Sequence, residues 1–176
     1  MSAPSTKLTV SMTEDVVLIR VAGRAICTAG CDFKKLANEL GQRGYHSFLI
    51  DLKDCELMDS TFLGLLADLA MRAEEASGDS GGSPSIKLFN PNQRVLEIIE
   101  QLGIAELFDI IRSEEAPEID GETITASPAR YTRAEVSQTC LEAHRRLMDL
   151  NPENVARFKD VTKFLAEDLQ RLEVKK

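Results

Sequence analysis

Histidine is scarce in this chain of 176 residues, which carries only His46 and His144. Its four cysteines, Cys27, Cys31, Cys55 and Cys140, are scattered, with no C-x2-C pair and no second pair to match Cys27 and Cys31. So few metal-type side chains, without ligand spacing, argue against a zinc site. The thiols are expected to be reduced, in a cytosolic protein. Long apolar runs are missing too, because charges break every stretch well before the ~20 residues of a membrane helix. The start, Met1-Ser-Ala-Pro-Ser5, has neither a basic end nor an apolar core, so a secretion signal is not expected. Basic charge is in deficit, with 21 Lys+Arg against 29 Asp+Glu and a net charge of −8. That balance disfavours nucleic acid, whose phosphates reward Lys and Arg, and an anionic membrane surface. Neither G-x-G-x-x-G nor G-x-x-x-x-G-K-[ST] occurs, so no nucleotide loop and no cofactor are expected. No constellation of acid, base and nucleophile stands out, and the chain does not read as an enzyme.

The composition, 43% hydrophobic and 28% charged, is that of an ordinary soluble protein. The length fits one domain plus an extension and suffices for a core without disulfides or metals. The charge is uneven. From residue 132 onward there are nine basic and eight acidic residues; the first 131 hold twelve and twenty-one. A charge-complementary partner would therefore dock on the first part.

That first part alternates strands and helices. Leu8–Met12 and Val16–Val21 read as paired strands across a turn at 13–15. A helix is expected over Asp32–Leu40, capped by Asp32 and closed by Gly41. Ser47–Leu52 reads as a buried strand, Thr61–Ala76 as a helix and Ile86–Phe89 as a strand. Ser77–Ser83 is a flexible Gly/Ser loop by composition. Asn90-Pro91 is expected to cap and open a helix that carries Val95, Leu96, Ile98, Ile99 and Leu102 and stops at Gly103. Leu107–Ile111 is a last short strand, and the class is α/β.

The composition then shifts. Residues 113–131 read as linker or irregular cover, and 132–174 as a hairpin of two helices. Thr132-Arg-Ala-Glu135 is a capping box at the start of the first. Its apolar stripe is Val136, Cys140, Ala143, Leu147 and Leu150; the second helix repeats the spacing with Val155, Phe158, Thr162, Leu165, Leu169 and Leu172. Asn151-Pro152 separates them. Packing of these helices onto the domain in cis and use between molecules, as a homodimer or docking arm, weigh about equally. His144 and Arg145-Arg146 read as a solvated helix face.

The most informative stretch is Phe48-Leu-Ile-Asp-Leu-Lys-Asp-Cys-Glu-Leu-Met-Asp-Ser-Thr-Phe-Leu-Gly-Leu-Leu66. A buried strand ends at Asp51-Leu52, a short loop leads to Met58-Asp59-Ser60, and a helix begins at once. Ser, Thr and Asp are preferred helix N-caps, so Asp59 and Ser60 need do no more than start a helix. A hydroxyl at a helix N-terminus also sits where the dipole and free N–H groups favour an anion.

This stretch resembles the STAS domain of bacterial anti-sigma-factor antagonists. So does the order of the other elements over residues 7–112: Gly23 after the second strand, the helix at 32–40, Phe89-Asn-Pro91 with its apolar helix, and Leu102-Gly-Ile-Ala-Glu-Leu-Phe108. The resemblance implies a mixed β-sheet backed by helices, here with a C-terminal two-helix extension. It also implies transcription regulation by partner switching, without an enzyme activity. Ser60, or Thr61 instead, would be the phosphate acceptor, with Asp59, Thr61, Phe62 and Gly64 the partner-binding surface around it. The partners would be an anti-sigma factor that is also a serine kinase, and a phosphatase. A phosphate adds about −1.5 to −2 charges, and beside Asp59 that charge repels an acidic or apolar partner. Two positions depart from the family pattern: Phe62 stands where the family usually has Gly, and Ala25-Ile26 where it often has Leu-Asp. The alternative is a constitutive STAS scaffold subunit of a sensory or lipid-transport complex, in which Ser60 only caps.

Two other readings fail on the residues. Gly78-Asp-Ser-Gly-Gly82 copies the nucleophile motif of chymotrypsin-like proteases, but the chain is too short for two β-barrels and its helices contradict that fold. A receiver domain would use Asp51 as acceptor, but needs an acidic cluster after its first strand, which Val16–Arg24 lacks. Asp51 is expected to cap the next loop.

Overall fold

A computed structural model describes residues 6–78 and 84–175. Seven strands occur among them: β1 (Lys7–Met12), β2 (Val17–Ala25), β3 (Phe48–Asp51), β4 (Cys55–Met58), β5 (Ile86–Phe89), β6 (Asp109–Ile111) and β7 (Glu122–Thr125). The helices are α1 (Cys27–Gln42), α2 (Ser60–Ser77), α3 (Gln93–Gln101), α4 (Arg133–Leu150) and α5 (Glu153–Val174). The sheet runs β6-β5-β3-β2-β1-β7, with β4 off this path and paired to β2. β1 is antiparallel to β2 and β7; β2, β3, β5 and β6 are mutually parallel along the path. The expected mixed sheet backed by helices, with two C-terminal helices, is the observed architecture.

Period-two alternation decides the faces. Leu8, Val10, Val17, Ile19, Val21, Phe48, Ile50, Ile86 and Leu88 point into one core with Phe33, Phe62, Leu66 and Ile99 from the helices. On the opposite face Arg20 and Asp51 meet at 3.6 Å, and Arg20 also donates to the carbonyl of Pro117. Asp51 accepts from the Lys53 N–H at 3.1 Å, the loop-capping role expected for it.

Several boundaries differ from expectation. α1 starts at Cys27, not Asp32, behind Ile26, which makes no side-chain cap. Asp32 lies inside the helix and instead accepts from the Tyr131 hydroxyl at 2.7 Å and the Ala129 N–H. Gly41 is helical; the positive-φ residue beyond the end is Gly44. The cap of α3 is Asn92, which accepts from the Val95 N–H, whereas Asn90 takes a positive φ and accepts from the Ser113 N–H. Leu107 closes a 3-10 turn, so β6 begins only at Asp109. Gly23 lies within β2 at φ 85°, beside a register shift that turns the distal end of β2 onto β4. The stretch read as linker or cover contains β7, and the loop before Met58 contains β4. Within the Gly/Ser loop, residues 79–83, which hold most of the protease-like motif, lie outside the described residues.

The C-terminal helices pack in cis. α4 lies on α2 and α1, and α5 lies on α4. The capping box at Thr132 and Glu135 is present in both halves. The buried side of α4 comprises Ser137, Thr139, Leu141, Ala143, His144 and Leu147, so its stripe is wider than the one expected and Val136 and Leu150 are only half-buried. In α5, Phe158 and Thr162 are buried as expected; Leu165, Leu169 and Leu172 are half-buried, and Val155 is exposed. Asn154, fully buried, fastens the turn by donating to the carbonyls of Leu102 and Leu147, both at 2.9 Å. Arg133 grips Asp168 through two nitrogens, at 3.2 and 2.6 Å, and so ties α5 to the start of α4.

Candidate functional site

The site is the N-terminus of α2. The strand-like loop of β4 ends at Met58, and Asp59 N–H donates to the carbonyl of Ala25, which fixes where the helix begins. Asp59 is the N-cap: its Oδ1 accepts from the Phe62 N–H at 2.9 Å. Ser60 is the first helical residue. Burial pushes the Asp59 carboxyl above its ordinary range, opposed by N–H bonds from Phe62, Cys27 and Thr61 and by His144.

α4 covers this end. Ser60 Oγ lies 2.9 Å from His144 Nε2. His144 Nδ1 lies 2.6 Å from the carbonyl oxygen of Cys140. A carbonyl can only accept, so Nδ1 carries the proton; in the neutral ring Nε2 is then the acceptor and the Ser60 hydroxyl donates. His144 is 6% exposed, and its ring meets Phe158 of α5 edge-on at 4.8 Å. Thr61 donates to the Cys140 sulfur at 3.5 Å, and burial pushes the Cys140 thiol up.

One turn further along, α4 packs directly on the α2 backbone. A Cβ added at Gly64 would stand 2.5 Å from the carbonyl oxygen of Ala143, so only glycine admits α4 at this distance. At the far end Arg146 Nε and Nη2 reach Asp68 Oδ1 at 2.9 and 2.7 Å. Beside them Lys34 of α1 pairs with Glu142.

The five residues singled out from the sequence are thus brought together, but not on an open surface. Asp59 and Ser60 are half-buried, Thr61 is 4% exposed, Phe62 is fully buried against Phe33, and Gly64 lies under Ala143. His144 and Arg146 correct the reading of a solvated helix face; only Arg145 is exposed. Their positions carried a signal: His144 lies four after Cys140 and three before Leu147, on the stripe that the helical period already marks. His46 lies elsewhere, exposed, with Nδ1 near the carbonyl of Gly44. Among the described residues no group of three or more His, Cys, Asp or Glu gathers as a metal site, and no helix is long and apolar enough to cross a membrane.

Comparison with known proteins agrees with this architecture. The anti-sigma factor antagonist SpoIIAA in its unphosphorylated form is 23% identical, with a TM-score of 0.50 over 61% of this chain and 89% of that one. The phosphorylated form of the Bacillus cell fate determinant SpoIIAA is 20% identical, at a TM-score of 0.48 over 61% and 92% of the two chains. An anti-sigma factor antagonist from Mycobacterium paratuberculosis is 18% identical, at a TM-score of 0.48 over 62% and 89%. Of these, the unphosphorylated SpoIIAA, at a TM-score of 0.50 and 23% identity, speaks for the fold alone. No curated protein sequence matches significantly. The STAS domain profile matches residues 7–116, which run from β1 to just beyond β6, and by that match the chain belongs to the STAS-domain family.

Proposed function

We propose that the protein is an anti-sigma-factor antagonist that works by partner switching, in the cytoplasm, as a binding module rather than an enzyme. Ser60 is the phosphate acceptor and Thr61 the less favoured hydroxyl. Asp59, with Thr61 and Gly64 beneath α4, frames the surface that meets an anti-sigma factor with serine kinase activity, and a phosphatase resets the site; Phe62, expected there too, faces the core against Phe33. The observation that carries this reading is the position of Ser60: the first residue of a helix, directly behind an aspartate cap, in a STAS domain. There the helix dipole and N–H groups favour an anion, and an added phosphate lies beside the Asp59 carboxylate, where like charge and desolvation act against a docked partner.

Phosphosite mapping of the protein isolated from its own cells, in growth and under stress, tests the reading. Phosphate on Ser60 that changes with condition supports it, and an unmodified site under every condition rejects it. A second reading has its own observation. α4 lies over Ser60, Thr61 and Gly64, as suits a constitutive scaffold in which the helices carry the interaction, as a homodimer or with another subunit, and Ser60 merely opens a helix. Ser60→Ala and Ser60→Asp separate the two: switching requires that they bind the anti-sigma factor differently, scaffolding that they bind alike.

A further inference from the structure

We propose that the α4–α5 hairpin is a removable cover on the α1–α2 face, so that a partner reaches Ser60 only by displacing α4. This rests on the partner-switching reading and adds its regulation. Three observations converge. First, α4 occupies the surface around Ser60 from end to end: His144 holds the hydroxyl, Ala143 sits on Gly64, and Arg146 takes the Asp68 carboxylate. A protein that docks on Ser60 meets α4 before it meets α2. Second, beside the buried Ala143 and Leu147, α4 is held at this face by polar contacts. Ser60–His144, Arg146–Asp68, Lys34–Glu142 and Thr61–Cys140 can each be exchanged for contacts with water or another protein. Third, the outer face of the hairpin is open to solvent. Phe164 is 56% exposed, and Val155 and Val161 of the same helix are exposed as well.

The cover also states what its competitor must look like. α4 is a helix that presents a small residue to Gly64, a hydrogen-bond acceptor to Ser60 and a guanidinium to Asp68. The partner class that fits the uncovered face is therefore a protein helix with an alanine or glycine at its closest approach and an arginine about one turn on.

The experiment uses the full-length chain. Ser60→Cys places a thiol at the site, and N-ethylmaleimide labelling read by peptide mapping reports access to position 60 alone. Ser127→Cys, in an exposed segment, is the reference. With the hairpin intact, position 60 is expected to label at least about tenfold more slowly than position 127, as a locally closed site does. Adding Ala143→Phe, which overfills the α2–α4 contact without altering α1 or α2, brings the two rates together while the β3 amides stay protected from hydrogen exchange. Equal rates in the chain with the native hairpin overturn the proposal. So does slow labelling of position 60 in an Ala143→Phe chain whose α4 amides exchange freely. Should Ala143→Phe strip protection from β3 as well, Asn154→Ala, which loosens the hairpin at its turn, takes its place under the same criteria. Phosphosite mapping of wild type and Ala143→Phe from the same cells then separates the two readings. More phosphate on Ser60 in the variant supports both. Phosphate absent from both chains, with position 60 uncovered by Ala143→Phe, rejects partner switching and leaves the cover in place.

Discussion

Ser60 and His144 are 84 residues apart in the chain, and their side chains meet at 2.9 Å. That one bond joins the first residue of α2 to the middle of α4. His144→Ala removes it together with the ring that packs on Phe158. A loss of about 2–3 kcal/mol of stability is expected, because a buried ring and a hydrogen bond go together. Ser60→Ala loses only about 1 kcal/mol. The double variant should lose less than the sum of the two, by roughly 1 kcal/mol. Urea denaturation of the four chains measures that coupling, and strict additivity would refute the bond's contribution.

Gly64 predicts a steric effect with no change of charge. Gly64→Ala sets a Cβ 2.5 Å from the Ala143 carbonyl, and neither helix backbone can yield without moving the other. The net cost should be about 1–3 kcal/mol, as for other overpacked contacts, although alanine is the better helix former. Hydrogen exchange should quicken in α4 and leave β3 unchanged. A stabilised protein would mean that the two helices do not approach as described.

Asp59 gives a pH dependence with a definite sign. Burial raises its carboxyl above the ordinary value of 3.8 in the folded chain. The folded state then binds more protons than the unfolded state between those two values. The contribution of this group to stability is present below the unfolded value and is lost as pH rises through the folded one. Asp59→Asn keeps a capping oxygen and removes the titration. The stability of wild type relative to Asp59→Asn should therefore fall as pH is raised from about 4 to 7. Paired denaturation curves across that range check it, and a relative stability that rises with pH would contradict the assignment.

Asn154 predicts how the hairpin comes loose. Its amide donates to the carbonyls of Leu102 and Leu147 and is fully buried. Asn154→Ala removes two buried hydrogen bonds, although both carbonyls still accept from Asn151, at an expected cost of about 1–2 kcal/mol. Asn154→Asp is worse, because a carboxylate would face two carbonyl oxygens. Amide exchange in α4 and α5 is expected to rise in both variants while β2 and β3 hold. A uniform rise through the sheet would show instead that hairpin and domain unfold as one unit.

The sequence shows best what is local. Ile86–Phe89, the capping box at Thr132 and the stop at Gly103 depend on short-range patterns, and the structure places each where the pattern says. The Asp59–Ser60 helix start is of the same kind. What escapes has no local signature. β4 is Cys-Glu-Leu-Met, four residues without a β-branched side chain, and it pairs only because β2 shifts register at Gly23. β7 is exposed at every position, so burial gives it no alternation to read; its strand form comes from pairing with β1. α1 begins without a side-chain cap, which left Asp32 as the nearest plausible start. The role of His144 depends on a helix more than sixty residues downstream folding back over α2, and the spacing of a stripe says that a face is buried without saying what buries it.

The order of synthesis gives the hairpin a further meaning. The strands and helices that build the α1–α2 face leave the ribosome first, and α4 follows β7 near the end of the chain. At roughly 5–20 residues per second, some seconds separate the emergence of α2 from that of α4. A newly made molecule thus presents Ser60 uncovered for that interval. A protein at the ribosome would meet the site before α4 is made, whereas every later partner must first displace α4.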